Sequence, residues 1–181
     1  YCSLALWLDG EILSRSVLAG QKHSELVLPI LNEMLIEGGI TLSHLDGFAF
    51  GAGPGSFTGL RIACGVIQGL AFALDKPVVD ISTLEALAQQ AGSTSVITAL
   101  DARMGEIYFA AYTKSSSDQW ISVQSPMLCR PEFAPQLIGN DWVGCGSGFD
   151  RYPETLKNVY QDQFNEILTD CYPHAKEIAQ L

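Results

Sequence analysis

Positive charge is scarce in this chain. Its 181 residues carry 10 lysines and arginines against 20 aspartates and glutamates, a net charge of −10. The deficit is even: residues 1–92 hold 4 basic and 9 acidic side chains and residues 93–181 hold 6 and 11, so each half stands at −5. No basic stripe offsets the repulsion of phosphate, and phosphate contacts dominate nucleic-acid affinity. Stand-alone binding of nucleic acid is therefore not expected. Histidine is also rare, with only His23, His44 and His174. The five cysteines (Cys2, Cys64, Cys129, Cys145, Cys171) are scattered, odd in number and form no C-x-x-C. That pattern argues against a structural zinc site and a disulfide framework, and fits free thiols in a reducing cytoplasm. No run reaches the ~20 apolar residues expected of a membrane span; the longest candidate, Leu60–Leu74, is interrupted by Arg61 and Gln68.

Glycine is plentiful where it matters. The stretch Gly47–Leu74 reads as a short strand, Phe48–Phe50, a glycine loop and a helix. The loop comprises Gly51, Gly53, Pro54, Gly55, Ser56, Phe57, Thr58 and Gly59, with Ser56 and Thr58 as candidate N-caps. Strand, glycines and helix in that order is the layout of a phosphate cradle. The residues fail both common versions. No lysine lies between Gly47 and Leu74, which excludes the Walker loop, and the third glycine of G-x-G-x-x-G is replaced by Ser56 or Thr58 in either frame. Pro54 has no N–H to offer a phosphate. The loop is read as a structural turn.

The helix after it is apolar almost all round, so it is expected to be covered on more than one side. Gly65, Gly69 and Ala73 recur every fourth residue. A helical glycine costs about 1 kcal/mol against alanine, and this strip points to close approach of another backbone.

The remaining order is hairpin, helix, central unit, strand, helix. Tyr1–Asp9 and Glu11–Leu18 alternate around an Asp9-Gly10 turn. Ser24–Ile36 is a predicted helix ended by Gly38-Gly39. Val78–Ile81 is a strand, and a helix capped by Ser82 or Thr83 runs to Gln90. Residues 91–95, small and polar, are taken as a linker. The second half offers strands at Val96–Leu100, Ile107–Thr113, Trp120–Val123 and Trp142–Cys145, a short helix at Pro131–Ile138 and a last helix from Pro173. Residues 162–171 are read as a rim. Strand, glycines and phenylalanine recur at Gly144, Gly146, Gly148 and Phe149, which points to internal duplication. The expected class is α/β, of the actin-like ATPase type, with two ribonuclease-H-like subdomains. Residues 1–92 form the first, and 93–181 a smaller, degenerate second. Each half of such a fold starts with three antiparallel strands; the second shows three and the first two. With a C-terminal end that also looks cut short at Leu181, the chain is expected to be trimmed at both ends.

The segment Gly51–Val79 (GAGPGSFTGLRIACGVIQGLAFALDKPVV), with His23–Pro29 before it and Ser82–Gln89 after it, resembles the bacterial TsaB family, also called YeaZ. A second signature, Asp101–Tyr108, supports the resemblance. It implies a non-catalytic partner of the TsaD-type enzyme that forms threonylcarbamoyladenosine next to the tRNA anticodon. It also implies contact with a TsaE-type ATPase through the complex, a homodimer when alone, no cofactor, no direct tRNA binding and no membrane. The expected interface takes Leu26, Pro29, Ile30 and Glu33 from the first helix. From the second it takes Arg61, Ile62, Gly65, Val66, Gly69, Phe72 and Ala73.

Metal-binding relatives, grouped with M22-type peptidases, carry H-x-E-x-H on the first helix. Here the stretch is His23-Ser24-Glu25-Leu26-Val27, and Val27 cannot ligate. His23 and Glu25 are expected to cap the helix or line an interface. Gly55-Ser56-Phe57-Thr58-Gly59 is not a G-x-S-x-G elbow. The rival from another class is an ATP-dependent kinase-like enzyme using Asp101 and the Gly51–Gly55 loop. Arg103 would pair with an anion, or simply with Asp101 across their shared turn.

Overall fold

The computed structural model describes all of Tyr1–Leu181. It divides into two compact units: residues 1–83 with 174–181, and residues 84–173. The linker expected at 91–95 lies inside the second unit, where Ser95 already begins a strand, and the last helix belongs to the first unit.

Unit 1 opens with the expected hairpin. Strands β1 (Cys2–Leu8) and β2 (Glu11–Val17) pair antiparallel in unbroken register, Cys2 opposite Val17 and Leu8 opposite Glu11. Asp9 and Gly10 both have positive φ, 50° and 91°, as a tight primed turn demands. Helix α1 (His23–Glu37) packs on this hairpin. Leu6 of β1 meets Ile30, Met34 and Leu35 of α1 in a core of four buried side chains. Next come β3 (Phe48–Gly53), α2 (Phe57–Leu74) and β4 (Val78–Ser82), with β3 and β4 parallel. The α2 helix ends at Asp75 in the left-handed conformation (φ 51°), just before Pro77 forbids further helix. The two pairs are separate two-stranded sheets. Helix α6 (Ala175–Gln180) packs on β1, β2 and β3.

Unit 2 is built around a five-stranded sheet of order β7-β6-β5-β8-β9. Its strands are β5 (Ser95–Arg103), β6 (Glu106–Lys114), β7 (Trp120–Cys129), β8 (Trp142–Cys145) and β9 (Phe164–Leu168). The first three are antiparallel, whereas β8 and β9 run parallel to β5. Period-two alternation sorts the core. Ile97, Ala99, Ile107, Phe109 and Ala111 join Phe149, Leu156 and Tyr160 in one cluster, while Val96, Leu100, Ala110 and Tyr112 join Leu84, Leu87 and Ala88 in another. Helices α4 (Ser147–Arg151) and α5 (Pro153–Tyr160) contribute to the first cluster, and α3 (Thr83–Ala91) to the second. Close approach explains the second glycine cluster. A Cβ on Gly146, whose φ is +103°, would lie 2.4 Å from the Ala99 carbonyl oxygen, and one on Gly148 would lie 2.8 Å from the Ala99 Cβ.

Two expectations fail here. The stretch 131–138 forms only a 3₁₀ turn at Pro131–Phe133, because Pro135 has no N–H and its ring blocks a helical turn. The rim expected at 162–171 contains strand β9, which pairs with β8.

Candidate functional site

The glycine loop is a strand-to-helix turn built by a cap. Ser56 precedes α2, and its Oγ accepts the Gly59 N–H at 3.4 Å; Thr58 lies inside the helix. The Gly53–Pro54 peptide is cis, and the Thr83 hydroxyl donates to the Pro54 carbonyl. Gly53 is needed for its backbone, with φ +108° and the Leu60 side chain 3.1 Å from where a Cβ would stand. The loop thus seats α2 on β3.

The resulting helix leaves one side open to solvent. Across Phe57–Leu74, with a mean hydropathy of 1.6, only Ala71 is fully buried, while Leu60, Ile62, Val66, Ile67 and Leu70 are half-buried. Arg61, Cys64, Gly65, Gln68, Gly69, Phe72 and Ala73 line its open side, with Phe72 90% exposed. No atom of the chain lies within 4 Å of a Cβ built on Gly65 or Gly69, apart from the helix's own neighbouring backbone. The Arg61 guanidinium lies 3.7 Å from the Phe57 ring centroid, a cation–π contact at the head of the strip. Length and composition do meet the minimum for a membrane span, contrary to the expectation from the ~20-residue rule, because spans as short as about 17 residues occur. One side of the helix is nevertheless already committed to β3.

Helix α1 packs against α2 and extends this surface. Pro29 and Glu33 are exposed, Leu28 and Ile36 add exposed apolar area, and Leu26 is half-buried. Ile62 and Val66 of α2 are also half-buried. Ile30 is different: it is buried with Leu6 and Met34 in the unit 1 core, so its side chain is not on offer to a partner. Leu28 and Ile36 lie outside the expected interface set, although with Leu26 they widen the apolar face of α1 beyond what one sheet covers.

Other candidate groups have simpler roles. His23 Nε2 lies 3.1 Å from the Tyr1 carbonyl oxygen, and α1 has no side-chain cap, so neither His23 nor Glu25 caps it. No three His, Cys, Asp or Glu side chains converge on a metal-sized point. A cavity of about 180 Å³ in unit 1 lies between the hairpin and the start of α6, where Ser16 Oγ and His174 Nδ1 are 3.0 Å apart. Asp101 Oδ1 accepts the Arg103 N–H at 3.0 Å, and the Arg103 guanidinium stands 3.8 Å from Oδ2. That is the turn contact between the two residues; the Arg103 side chain is 86% exposed. Asp101 lies in unit 2 and the Gly51–Gly55 loop in unit 1, so the kinase reading draws its two parts from different units. Cys145 is fully buried, and burial pushes its thiol pKa up, which keeps it unreactive.

Comparison with known proteins bears on the family and the fold. Residues 15–131 match the family TsaD, tRNA N6-adenosine threonylcarbamoyltransferase. The tRNA threonylcarbamoyladenosine biosynthesis protein TsaB of Escherichia coli (strain K12) is 37% identical over 163 residues, covering 86% of this chain and 71% of that protein. The protein of the same name from Haemophilus influenzae is 40% identical over 171 residues, covering 87% and 72%. Two solved structures from Pseudomonas aeruginosa share the fold. An uncharacterized protein with similarity to peptidase YeaZ matches with a TM-score of 0.91 at 37% identity. YeaZ itself matches at 0.87 and 36%; each match covers 99% of this chain and 84% of the other.

Proposed function

The chain belongs to the TsaB family, also called YeaZ, and we propose that it acts as a non-catalytic partner of a TsaD-type transferase. In this reading the transferase holds the metal, nucleotide and threonylcarbamoyl group. The present chain supplies a docking surface in the cytoplasm, for a second copy when alone and for the transferase in the working complex. A TsaE-type ATPase joins through that complex. Each unit is read as a ribonuclease-H-like subdomain, a reading supported by the strand order of unit 2.

The observation that carries the proposal is the open side of α2. An apolar helix with Phe72 almost wholly exposed and two glycines facing no other part of the chain is costly to leave in water. The exposed parts of α1 continue that surface. The residues argue against an independent transferase or peptidase: Val27 takes the place of a metal-ligating histidine. The charge of −10 argues against independent tRNA binding.

The test is reconstitution. Modification of tRNA by a TsaD-type enzyme should require this chain, while the chain with magnesium ATP and tRNA should bind neither at micromolar concentration. Turnover by the chain alone would contradict the proposal.

A further inference from the structure

Five cysteines are spread over the chain, and only two of them share surroundings. Cys2 and Cys64 belong to unit 1, and Cys129 packs on the cluster around Phe109. Cys145 lies in the other cluster of unit 2, with Leu84 and Leu87 of α3, and Cys171 packs against that same cluster. The fold brings them there. Strands β8 and β9 are parallel, with Cys145 opposite Leu168, so the chain leaves both strands at one end of the sheet. Asp170, at φ 56° and with its N–H held 3.3 Å from Asp150 Oδ1, redirects the chain after β9. The Cys171 sulfur then meets the N–H of Gly146, the residue after Cys145. Neither thiol has a strong partner. Cys145 Sγ donates to the Leu87 carbonyl at 3.5 Å and Cys171 Sγ to the Thr169 carbonyl at 3.7 Å, and S–H is a weak donor. Cys145 is fully buried and Cys171 half-buried. The pair has one member that solvent reaches and one that it does not.

We propose that Cys145 and Cys171 are an oxidisable pair, which hydrogen peroxide converts to a disulfide tying the end of β8 to the segment after β9. Cys171 reacts first, because it is the accessible member. It gives up its proton and its thiolate attacks one peroxide oxygen. The O–O bond breaks, the sulfur keeps that oxygen as a sulfenic acid, and the other leaves as hydroxide, which takes the proton and becomes water. The Cys145 thiol then attacks the Cys171 sulfur. The S–S bond forms, the S–O bond breaks, and the departing hydroxide takes the Cys145 proton as a second water. Two thiols are oxidised and one peroxide is reduced. Burial holds the Cys171 thiol above its ordinary pKa; the Gly146 N–H opposes this, and Asp150 and Asp170 reinforce it. Thiolate is therefore scarce, and the pair answers sustained oxidation rather than removing peroxide quickly. The same carboxylates repel anionic disulfides such as oxidised glutathione, which makes an uncharged oxidant the better reagent. Buried Cys145 stays inert to solvent and reacts only with the sulfenic acid beside it. The inference rests on the packing of unit 2 and is independent of the transferase partnership.

The test uses the whole chain carrying Cys64→Ser, which removes the exposed competitor on α2. The folded protein is treated with hydrogen peroxide, then unfolded, alkylated, digested and mapped by mass spectrometry. Cys145 and Cys171 should both be closed to alkylation, in a linked peptide two hydrogens lighter than its parts, with Cys2 and Cys129 still free. A dithiol reductant should open the link. With Cys171→Ser added, the same treatment should leave Cys145 fully alkylated, because peroxide does not reach it. Four results would overturn the proposal. One is a folded chain in which both thiols stay free after prolonged treatment. Another is Cys171 carried on to sulfinic acid while Cys145 is alkylated in full. A third is a link from either residue to Cys2 or Cys129. The last is a link that forms only after the chain has lost its cooperative melting transition, which would assign it to the unfolded ensemble.

Discussion

Unit 2 buries five consecutive residues along β5 and packs apolar clusters on both faces of its sheet, whereas unit 1 closes around four buried side chains. Apolar content does not explain the contrast. Unit 1 spends its apolar residues on the outside: Trp7, Leu18, Leu28, Ile36, Phe57, Phe72, Val78 and Val79 are all exposed. Burial is what converts apolar area into stability, at about 25 cal/mol per Å². Unit 2 therefore keeps its apolar area inside, whereas unit 1 leaves much of its own at the surface.

The comparison breaks most visibly in unit 2. Phe109 is fully buried and stacks on Tyr160, with centroids 6.2 Å apart and an interplanar angle of 5°. Phe109→Ala should cost about 3–5 kcal/mol, typical of an aromatic cavity, read as a fall in thermal and urea midpoints. A loss under ~1 kcal/mol would mean this core is looser than its packing implies.

In unit 1 a change of the opposite kind, small to large at an open position, should spare folding. Gly69→Leu adds four carbons where nothing of the chain stands within 4 Å. Folding stability should hold or rise by up to about 1 kcal/mol, since leucine is the better helix former. Association should fall sharply, because overpacking a close contact costs about 1–3 kcal/mol. Sedimentation separates the two readouts. A variant that melts early yet still associates would place the contact inside the chain.

A smaller effect sharpens the map without altering the fold. Cys64 is exposed on α2 and Cys145 is buried. In the free chain at low concentration a maleimide should label Cys64 and leave Cys145 untouched. Self-association or the transferase should slow Cys64 labelling several-fold. An unchanged rate would remove this side of α2 from the interface.

How much of this was legible depended on whether a residue's environment is local. The hairpins, α1, α2 and β5–β6 follow from periodicity and turn chemistry, as at Asp9-Gly10 and Ser56. Strand β9 did not, because Phe164–Leu168 carries Asn165 and Glu166 in mid-strand and derives its order from pairing with β8. Helix α5 was hidden because Pro153 reads as a breaker although it occupies a first-turn position, where proline is tolerated. At the site, the apolar character of α2 was visible in advance, yet its expected cover was not found within the chain. Ile30 shows the converse limit, since an apolar helical residue carries no mark saying whether core or partner will claim it.

The central claim is that the open side of α2 binds the transferase. The most direct measurement is native mass spectrometry of the chain and of Phe72→Glu, each with and without a TsaD-type protein. Phe72 is 90% exposed, so the substitution should shift folding stability by no more than about 0.5 kcal/mol. The account predicts a stoichiometric complex for the unmodified chain and none for Phe72→Glu, with both melting at the same temperature. A Phe72→Glu chain that still forms the complex would contradict it.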